Sequence, residues 1–361
     1  MNKLRQNMKK YFWICLLAMF SVSLSGCSNS ILGTSTGSSK TGGVMKSSDA
    51  GTTWELKNKA GEKSSISKVE VYSMAIDPVD ANKIYLGTKD KGIAVSKNGA
   101  ENWEKMDFAG NKVYGIAINH FNPGNIYASG VVGERGKLFC TDDYGESWNE
   151  IYTEPADGTV ITSLAMDASN ASVLYMGTSE GVIIKTVDGG ASWRNLYKAE
   201  GAVTKILFGG GTDAHIYFMV HEHPLAVSDR EGNNFREASE SLNDDEAEVG
   251  TISSIAVVQN DNGGIYLGTD SGLFRSFDGG ENLEQINTIG SSRDFPVRSV
   301  AINPKNSQEI IYSGAQAIYK SVNGGKNWST FQINTGMVVG NIVYNPSDVN
   351  VIYSGLRSFG N

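Results

Sequence analysis

The feature that most constrains the fold is a short pattern that returns seven times, Ser/Thr-x-Asp/Asn-x-Gly-x-x-Trp. It reads Ser47-x-Asp49-x-Gly51-x-x-Trp54, then loosely Ser96-x-Asn98-x-Ala100-x-x-Trp103, then Thr141-x-Asp143-x-Gly145-x-x-Trp148 and Thr186-x-Asp188-x-Gly190-x-x-Trp193. Ser228-x-Arg230-x-Gly232-x-x-Phe235 and Ser276-x-Asp278-x-Gly280-x-x-Leu283 are worn copies, and Ser321-x-Asn323-x-Gly325-x-x-Trp328 ends the series. Successive starts lie 49, 45, 45, 42, 48 and 45 residues apart. A period of that size marks stacked repeats, each too small to bury its apolar face alone.

Each copy is a hairpin signal: a short apolar run such as Val182-Ile183-Ile184 enters, Asp-Gly-Gly turns the chain, and Trp-x-x-Leu leaves. The Asp or Asn side chain is expected to accept from backbone N–H groups two residues on, and glycine to supply a positive φ. A tryptophan ring buries roughly 150–250 Å², an upper bound of about 4–6 kcal/mol at ~25 cal/mol/Å². Five of the six tryptophans occupy the eighth position of a repeat, which leaves none in the body for a sugar-stacking platform. One carboxylate per turn, as at Asp143 or Asp188, is too few ligands for a calcium loop. No metal or other cofactor is expected.

A second feature interleaves with the first. Ile84-Tyr85, Ile126-Tyr127, Leu174-Tyr175, Ile216-Tyr217, Ile265-Tyr266, Ile311-Tyr312 and Ile352-Tyr353 each read as the close of a strand. An apolar run precedes each, from Ser73–Ile76 through Ser163–Met166 to Asn341–Val343, and turn dipeptides such as Asp77-Pro78 and Asn345-Pro346 follow four of them. Four short strands per ~45 residues, with no helical period, predict an all-β seven-bladed β-propeller of four-stranded blades. The chain enters on the outer half of a blade (Val44 to Leu56) and finishes on an inner half (Asn341 to Tyr353), so a composite blade is expected to close the ring. Residues 44–361 then form one domain of about 318 residues.

The repeated turn resembles the Asp box of sialidases, sortilin-type receptors, tandem-propeller xyloglucanases and photosystem II assembly-factor propellers, over essentially all of residues 44–361. The resemblance implies that Ser47, Asp49, Gly51, Trp54, Asn98, Trp103, Asp143, Gly145, Trp148, Asp188, Gly190, Trp193, Asp278, Gly280, Asn323, Gly325 and Trp328 are fold elements on turns remote from the functional face. Function is expected on the opposite face, which carries the loops between second and third strands and between blades, or in the central channel.

Residues 1–27 read as an address label. Lys3, Arg5, Lys9 and Lys10 precede the apolar stretch Tyr11–Leu24, which is short for a bilayer span and ends in Leu24-Ser25-Gly26-Cys27. That ending resembles a bacterial lipobox and implies diacylation of Cys27; an ordinary signal peptide or an uncleaved anchor is the plainer alternative. Two acyl chains anchor stably where one is marginal. The expected address is extracytoplasmic, on the cell membrane, or on the outer membrane of a Gram-negative host. Residues 28–43, rich in Ser, Thr and Gly, read as a tether of about 20–24 Å r.m.s. reach. Removing the four basic signal residues takes the net charge from −8 to −12, which argues against nucleic acid as partner.

Chemistry-bearing residues are sparse. His221-Glu222-His223 places two histidines on one face if extended, and a metal site is weighed there against a polar loop, which is favoured. Glu237–Glu248 is an acidic run that reads first as a solvated loop. Arg298 and Arg357, with Arg135 and Arg293, fall where a functional face would be. A sialidase-like site would need three arginines converging on a carboxylate, yet the resemblance also implies six blades and an Arg-Ile-Pro stretch that this chain lacks. There is no Gly-x-Ser-x-Gly, phosphate loop or His-Glu-x-x-His. The expectation is a non-catalytic, lipid-anchored propeller that binds a protein or peptide through a face that includes His221, Glu222, His223, Arg298 and Arg357. The alternative is a surface glycoside hydrolase or carbohydrate-binding propeller.

Overall fold

Hydrogen bonds within the repeated turn explain why it recurs. In the computed structural model, which describes residues 41–211, 215–238, 249–259, 261, 263–289, 296–314 and 316–358, Ser47 Oγ donates to Asp49 Oδ1 at 2.8 Å and accepts from Gly51 N at 2.8 Å. Asp49 Oδ1 accepts from Thr52 N and Thr53 N at 3.0 and 2.8 Å, and Oδ2 accepts from Thr53 Oγ1 at 2.7 Å. The carboxylate therefore closes on donors three and four residues ahead, not two. A seventh-position side chain completes the clamp at Thr53, Ser147, Ser192 and Asn282, a part of the motif that the sequence reading left as x. Gly190 sits at φ 97, whereas Ala100 holds the same place at φ 73, a left-handed conformation costing a residue with a Cβ roughly 1–2 kcal/mol.

These bonds hold the carboxylates low. The Thr53 backbone N–H, then the Thr53 and Ser47 hydroxyls, bring Asp49 down to about 2 against a partial burial that opposes them. The Ser192 and Thr186 hydroxyls push Asp188 further down. Because the folded values lie below the unfolded one, this stabilisation is present above about pH 4 and fades as pH falls toward 2. Asn98 and Asn323 accept the same fourth-residue N–H at 2.9 Å with an amide oxygen. Asp49→Asn is therefore expected to change stability by less than ~0.5 kcal/mol at neutral pH, and Asp49→Ala to cost about 1 kcal/mol. Urea midpoints of the three proteins check this, and an Asp49→Ala midpoint equal to that of the unsubstituted chain would remove the side chain's role.

The turns join the third and fourth strands of seven four-stranded antiparallel sheets. Blade 1 comprises Val71–Ile76, Ile84–Thr88, Ile93–Ser96 and Glu104–Lys105; blade 2 comprises Ile116–Ile118, Ile126–Val132, Arg135–Thr141 and Asn149–Thr153. Blade 3 follows with Ile161–Asp167, Asn170–Thr178, Val182–Thr186 and Arg194–Lys198, and blade 4 with Val203–Phe208, Ile216–Val220, Ala226–Ser228 and Arg236–Glu237. Blades 5 and 6 run from Ile252–Val257 to Glu284–Ile286 and from Ser299–Asn303 to Ser329–Gln332. Blade 7 is the composite, ordered Val338–Tyr344, Ile352–Arg357, Gly43–Ser47, Glu55–Leu56. Gly43 through Ser47 pair residue for residue with Leu356 through Ile352. Gly43, read as the last tether residue, is thus the first residue of a strand. Five of the seven pairs open the second strand rather than close a strand, with Ile84, Ile126, Ile216, Ile265 and Ile352 as first residues, while Leu174-Tyr175 and Ile311-Tyr312 lie within Asn170–Thr178 and Asn306–Ser313.

Packing runs between blades. The seven repeat tyrosines are buried, none more than 5% exposed, and they tie each blade to its neighbour. Tyr127 of blade 2 donates to Gly189 O in the turn of blade 3 at 3.0 Å. Lys46 of blade 7 donates to Gly99 O of blade 1 at 2.9 Å, and Lys320 of blade 6 to Ala50 O of blade 7 at 2.6 Å. The tryptophans differ from expectation in depth. Only Trp103 is fully buried, at 1% exposure, while Trp54, Trp148, Trp193 and Trp328 are half-buried. A hairpin (Lys59–Ala60, Ser64–Ser65) covers Trp103, whose Nε1 donates to Lys57 O at 2.7 Å.

Candidate functional site

The inner strands line a central channel, and five of the seven bulge at a shared position. Register shifts fall at Val71/Ser73, Ile161/Ser163, Val203/Lys205, Ile252/Ser254 and Val339/Asn341. A bulge re-aims side chains and strengthens local twist, so one ring of residues faces the channel near its mouth. Superposing the repeats gives that ring as Ser73, Gly115, Ser163, Lys205, Ser254, Ser299 and Asn341. The residue before each is Tyr72, Tyr114, Thr162, Thr204, Ser253, Arg298 or Gly340. Small or hydroxyl residues are the rule. Lys205 and Arg298 break it.

A third cation arrives from elsewhere. Arg357 ends the second strand of blade 7, one strand away from the channel, and reaches in by lying across Gly340: a Cβ on Gly340 would stand 2.6 Å from Arg357 Cγ and 2.8 Å from its Nε. Lys205, Arg298 and Arg357 thus line one cavity of about 880 Å³ with Tyr72, Tyr114, His221 and Glu222. The two tyrosine rings stack at 4.9 Å and 15°. Burial lowers the Arg357 guanidinium, a shift eased by Tyr72 and Glu70 and reinforced by Arg298. Burial and then the Arg357 charge bring the Lys205 ammonium down to about 8. Lys205 Nζ donates to Ile255 O at 3.1 Å. Behind Arg357, Glu70 accepts from Lys89 at 2.7 Å and from Ser358 N at 3.0 Å. Toward the turn face lies a smaller pocket of about 310 Å³ whose lining includes Ile76, Ile118, Met166, Phe208 and His120.

The expected binding-face residues separate here. Arg298, Arg357, His221 and Glu222 share the cavity, while His223 turns toward Glu200 at 3.7 Å. Glu222 has φ 59, so His221-Glu222-His223 is a turn and its histidines do not share an extended face; His221 instead lies 3.8 Å from Glu222. Among the described residues no three His, Cys, Asp or Glu side chains gather as a metal site. Arg135 pairs with Asp157 and is not among the cavity's residues. Arg293, Cys27 with the rest of residues 1–40, and residues 239–248 of the acidic run lie outside the described residues. Lys205, Tyr72, Tyr114 and Gly340 were not singled out from the sequence. The signal for Lys205 was present as a departure from the blade repeat, visible once the bulge position was known.

Comparison with known proteins agrees with this architecture. Residues 93–262 match the Sortilin-Vps10 family, described as Sortilin, neurotensin receptor 3. Ninety residues are 28% identical to an oligoxyloglucan-reducing end-specific xyloglucanase of Emericella nidulans, covering 23% of this chain and 11% of that enzyme. The GH74 xyloglucanase of Xanthomonas campestris superposes with a TM-score of 0.63 at 15% identity, over 80% of this chain and 51% of that one. YCF48 from Cyanidioschyzon merolae superposes at 0.60 and 15% identity, over 80% of this chain and 95% of its own, and a YCF48 structure bound to D1 peptide matches at the same score and identity, over 81% and 94%. The chain therefore spans about a tenth of the curated relative and half of the bacterial xyloglucanase chain. It is similar to sortilin-type, xyloglucanase and YCF48 propellers, and it has their fold.

Proposed function

We propose that this seven-bladed Asp-box propeller is a non-catalytic binding module, anchored through Cys27 on the outer side of the cytoplasmic membrane or on an outer membrane, whose wide channel mouth takes an acidic segment of a protein or peptide. The observation that carries this reading is the convergence of Lys205, Arg298 and Arg357 on one cavity in a chain of net charge −8. Like charges brought together in a partly desolvated space repel, and a bound anion relieves that repulsion. Guanidinium pairs suit carboxylates because their N–H groups match both oxygens. The Ser254 and Ser299 hydroxyls on the ring offer further polar groups, and Tyr72 and Tyr114 offer apolar area beside them. A YCF48 propeller with a bound peptide is a precedent of fold for this use.

Non-catalysis is supported by the lining. Glycoside hydrolysis commonly uses two carboxylates about 5–9.5 Å apart, and Glu222, 73% exposed in its side chain, is the single carboxylate among the described lining residues. A second reading, a glycoside hydrolase or carbohydrate-binding propeller, is favoured by the xyloglucanase matches. The experiment is affinity capture by the full chain from an envelope extract of its own host. Arg298→Glu with Arg357→Glu is expected to lower retention of the partner about a hundredfold, as loss of charge-assisted bonds of ~1.5–3 kcal/mol implies. Gly340→Ala, which displaces Arg357 while keeping its charge, is expected to lower it less. Retention unchanged by charge reversal would overturn the mouth as the site, and retention of glycans with hydrolysis would favour the second reading.

A further inference from the structure

We infer that Lys205 is a carbonyl-reactive amine, placed to condense with a small 2-oxo acid whose carboxylate is held by Arg298 and Arg357. The inference rests on the anion-binding mouth described above and does not require a protein partner.

The repeat shows that the lysine is not needed for the fold. At equivalent positions Ser73 Oγ donates to Val113 O of the next blade at 3.3 Å, and Ser163 Oγ donates to Val203 O at 2.8 Å. Ser254 Oγ accepts from Val300 N at 3.0 Å. A hydroxyl thus bridges neighbouring blades without any charge. Lys205 makes the corresponding bridge, blade 4 to Ile255 O of blade 5, but brings an amine into a cavity already holding two guanidiniums. The strand partner also departs from the rule: Lys205 pairs with Met219, where Ser73, Ser163, Ser254 and Asn341 pair with glycine. Lys205 is half-buried and lines the cavity, so a small molecule entering by the mouth reaches it.

An amine beside other cations is the arrangement that activates lysine as a nucleophile, since its neutral form is favoured. With the ammonium brought down to about 8, Lys205 is neutral near pH 7.5 far more often than an ordinary surface lysine, whose value is ~10.4. In the reaction the Nζ lone pair attacks the carbonyl carbon, forming a C–N bond as the C=O π bond breaks and its pair moves to oxygen, and a proton passes from nitrogen to that oxygen to give a carbinolamine. Loss of that hydroxyl with a proton, as water, gives the imine. No electrons are transferred and no co-reactant is required. The arginines hold the acid by its carboxylate within the cavity that Lys205 also lines.

The test treats the full chain with glyoxylate and sodium cyanoborohydride at about pH 7.5 and maps N-carboxymethyl lysine by peptide mass spectrometry. Lys205 is expected to label about tenfold faster than exposed Lys68 and Lys326, the neutral-fraction advantage being partly offset by lower intrinsic nucleophilicity. Arg298→Gln is expected to slow Lys205 labelling by glyoxylate several-fold while leaving labelling by uncharged propanal little changed. Labelling of Lys205 no faster than Lys326 overturns the inference, as does an equal response of glyoxylate and propanal to Arg298→Gln. If labelling fails while partner capture still responds to charge reversal, the reactive amine is lost and the anion-binding mouth stands. If neither responds, both fall.

Discussion

A chain ending at Asn350 is expected to lose its single cooperative unfolding transition and to be cut by protease where the intact ring is resistant. The missing strand, Ile352–Arg357, is the second strand of blade 7 and pairs with Val338–Tyr344 on one side and Gly43–Ser47 on the other. Its loss leaves Gly43–Ser47 and Glu55–Leu56 with no inner sheet to join, and exposes the flanks of blades 1 and 6. Ile352, Tyr353 and Leu356 are at most 1% exposed. At about 1.5–3 kcal/mol per large apolar side chain, their burial alone is comparable with the 5–15 kcal/mol that holds a typical domain together. Bonds that cross the seam, such as Lys46 to Gly99 O and Ser358 N to Glu70, are lost with it. A truncated chain that melts with the midpoint and cooperativity of the full one would show that the composite blade is not structural.

Trp103→Ala is expected to cost about 3–5 kcal/mol, the range for deleting a fully buried aromatic, and Trp193→Ala roughly half as much. The difference comes from cover. Trp103 lies beneath the hairpin at residues 59–65, packed with Ile66, Ala100 and Tyr353, and is bonded through Nε1 to Lys57 O. Trp193 is half-buried against Tyr152, centroids 5.7 Å apart, and its Nε1 donates to Gly190 O of its own turn. Denaturant midpoints of the two variants measure the contrast. Equal losses would mean that the turn and not the cover sets the contribution of these rings.

The same contrast shows what the sequence made legible. Blade number, strand order and the composite closure follow from a repeat period and from apolar runs, because each blade solves the same packing problem with the same local chemistry. Burial depth did not follow, since Trp103 and Trp193 occupy identical motif positions and differ only in what a distant segment does. The channel mouth lay between these cases. Arg298 and Arg357 fall in the sequence where a functional face would be, but Arg357 reaches the channel only because Gly340 has no side chain, a contact between strands that no linear pattern displays. His221-Glu222-His223 is a turn, as the favoured loop reading has it, with Glu222 at φ 59. Lys205 stands among largely apolar neighbours in Val203–Phe208, and its departure from serine is apparent only when the inner strands are aligned on the bulge that five of them share.

The most direct measurement is photo-cross-linking in the living host from one position on each face, with p-benzoylphenylalanine replacing Tyr114 at the mouth or Val187, 60% exposed, on the repeated-turn face. The expected result is a protease-sensitive adduct from position 114, absent from position 187 and lost when Arg298→Glu and Arg357→Glu are added. An adduct from position 187 with none from 114, or one at 114 that survives charge reversal, would contradict the cationic mouth as the place where this propeller meets its partner.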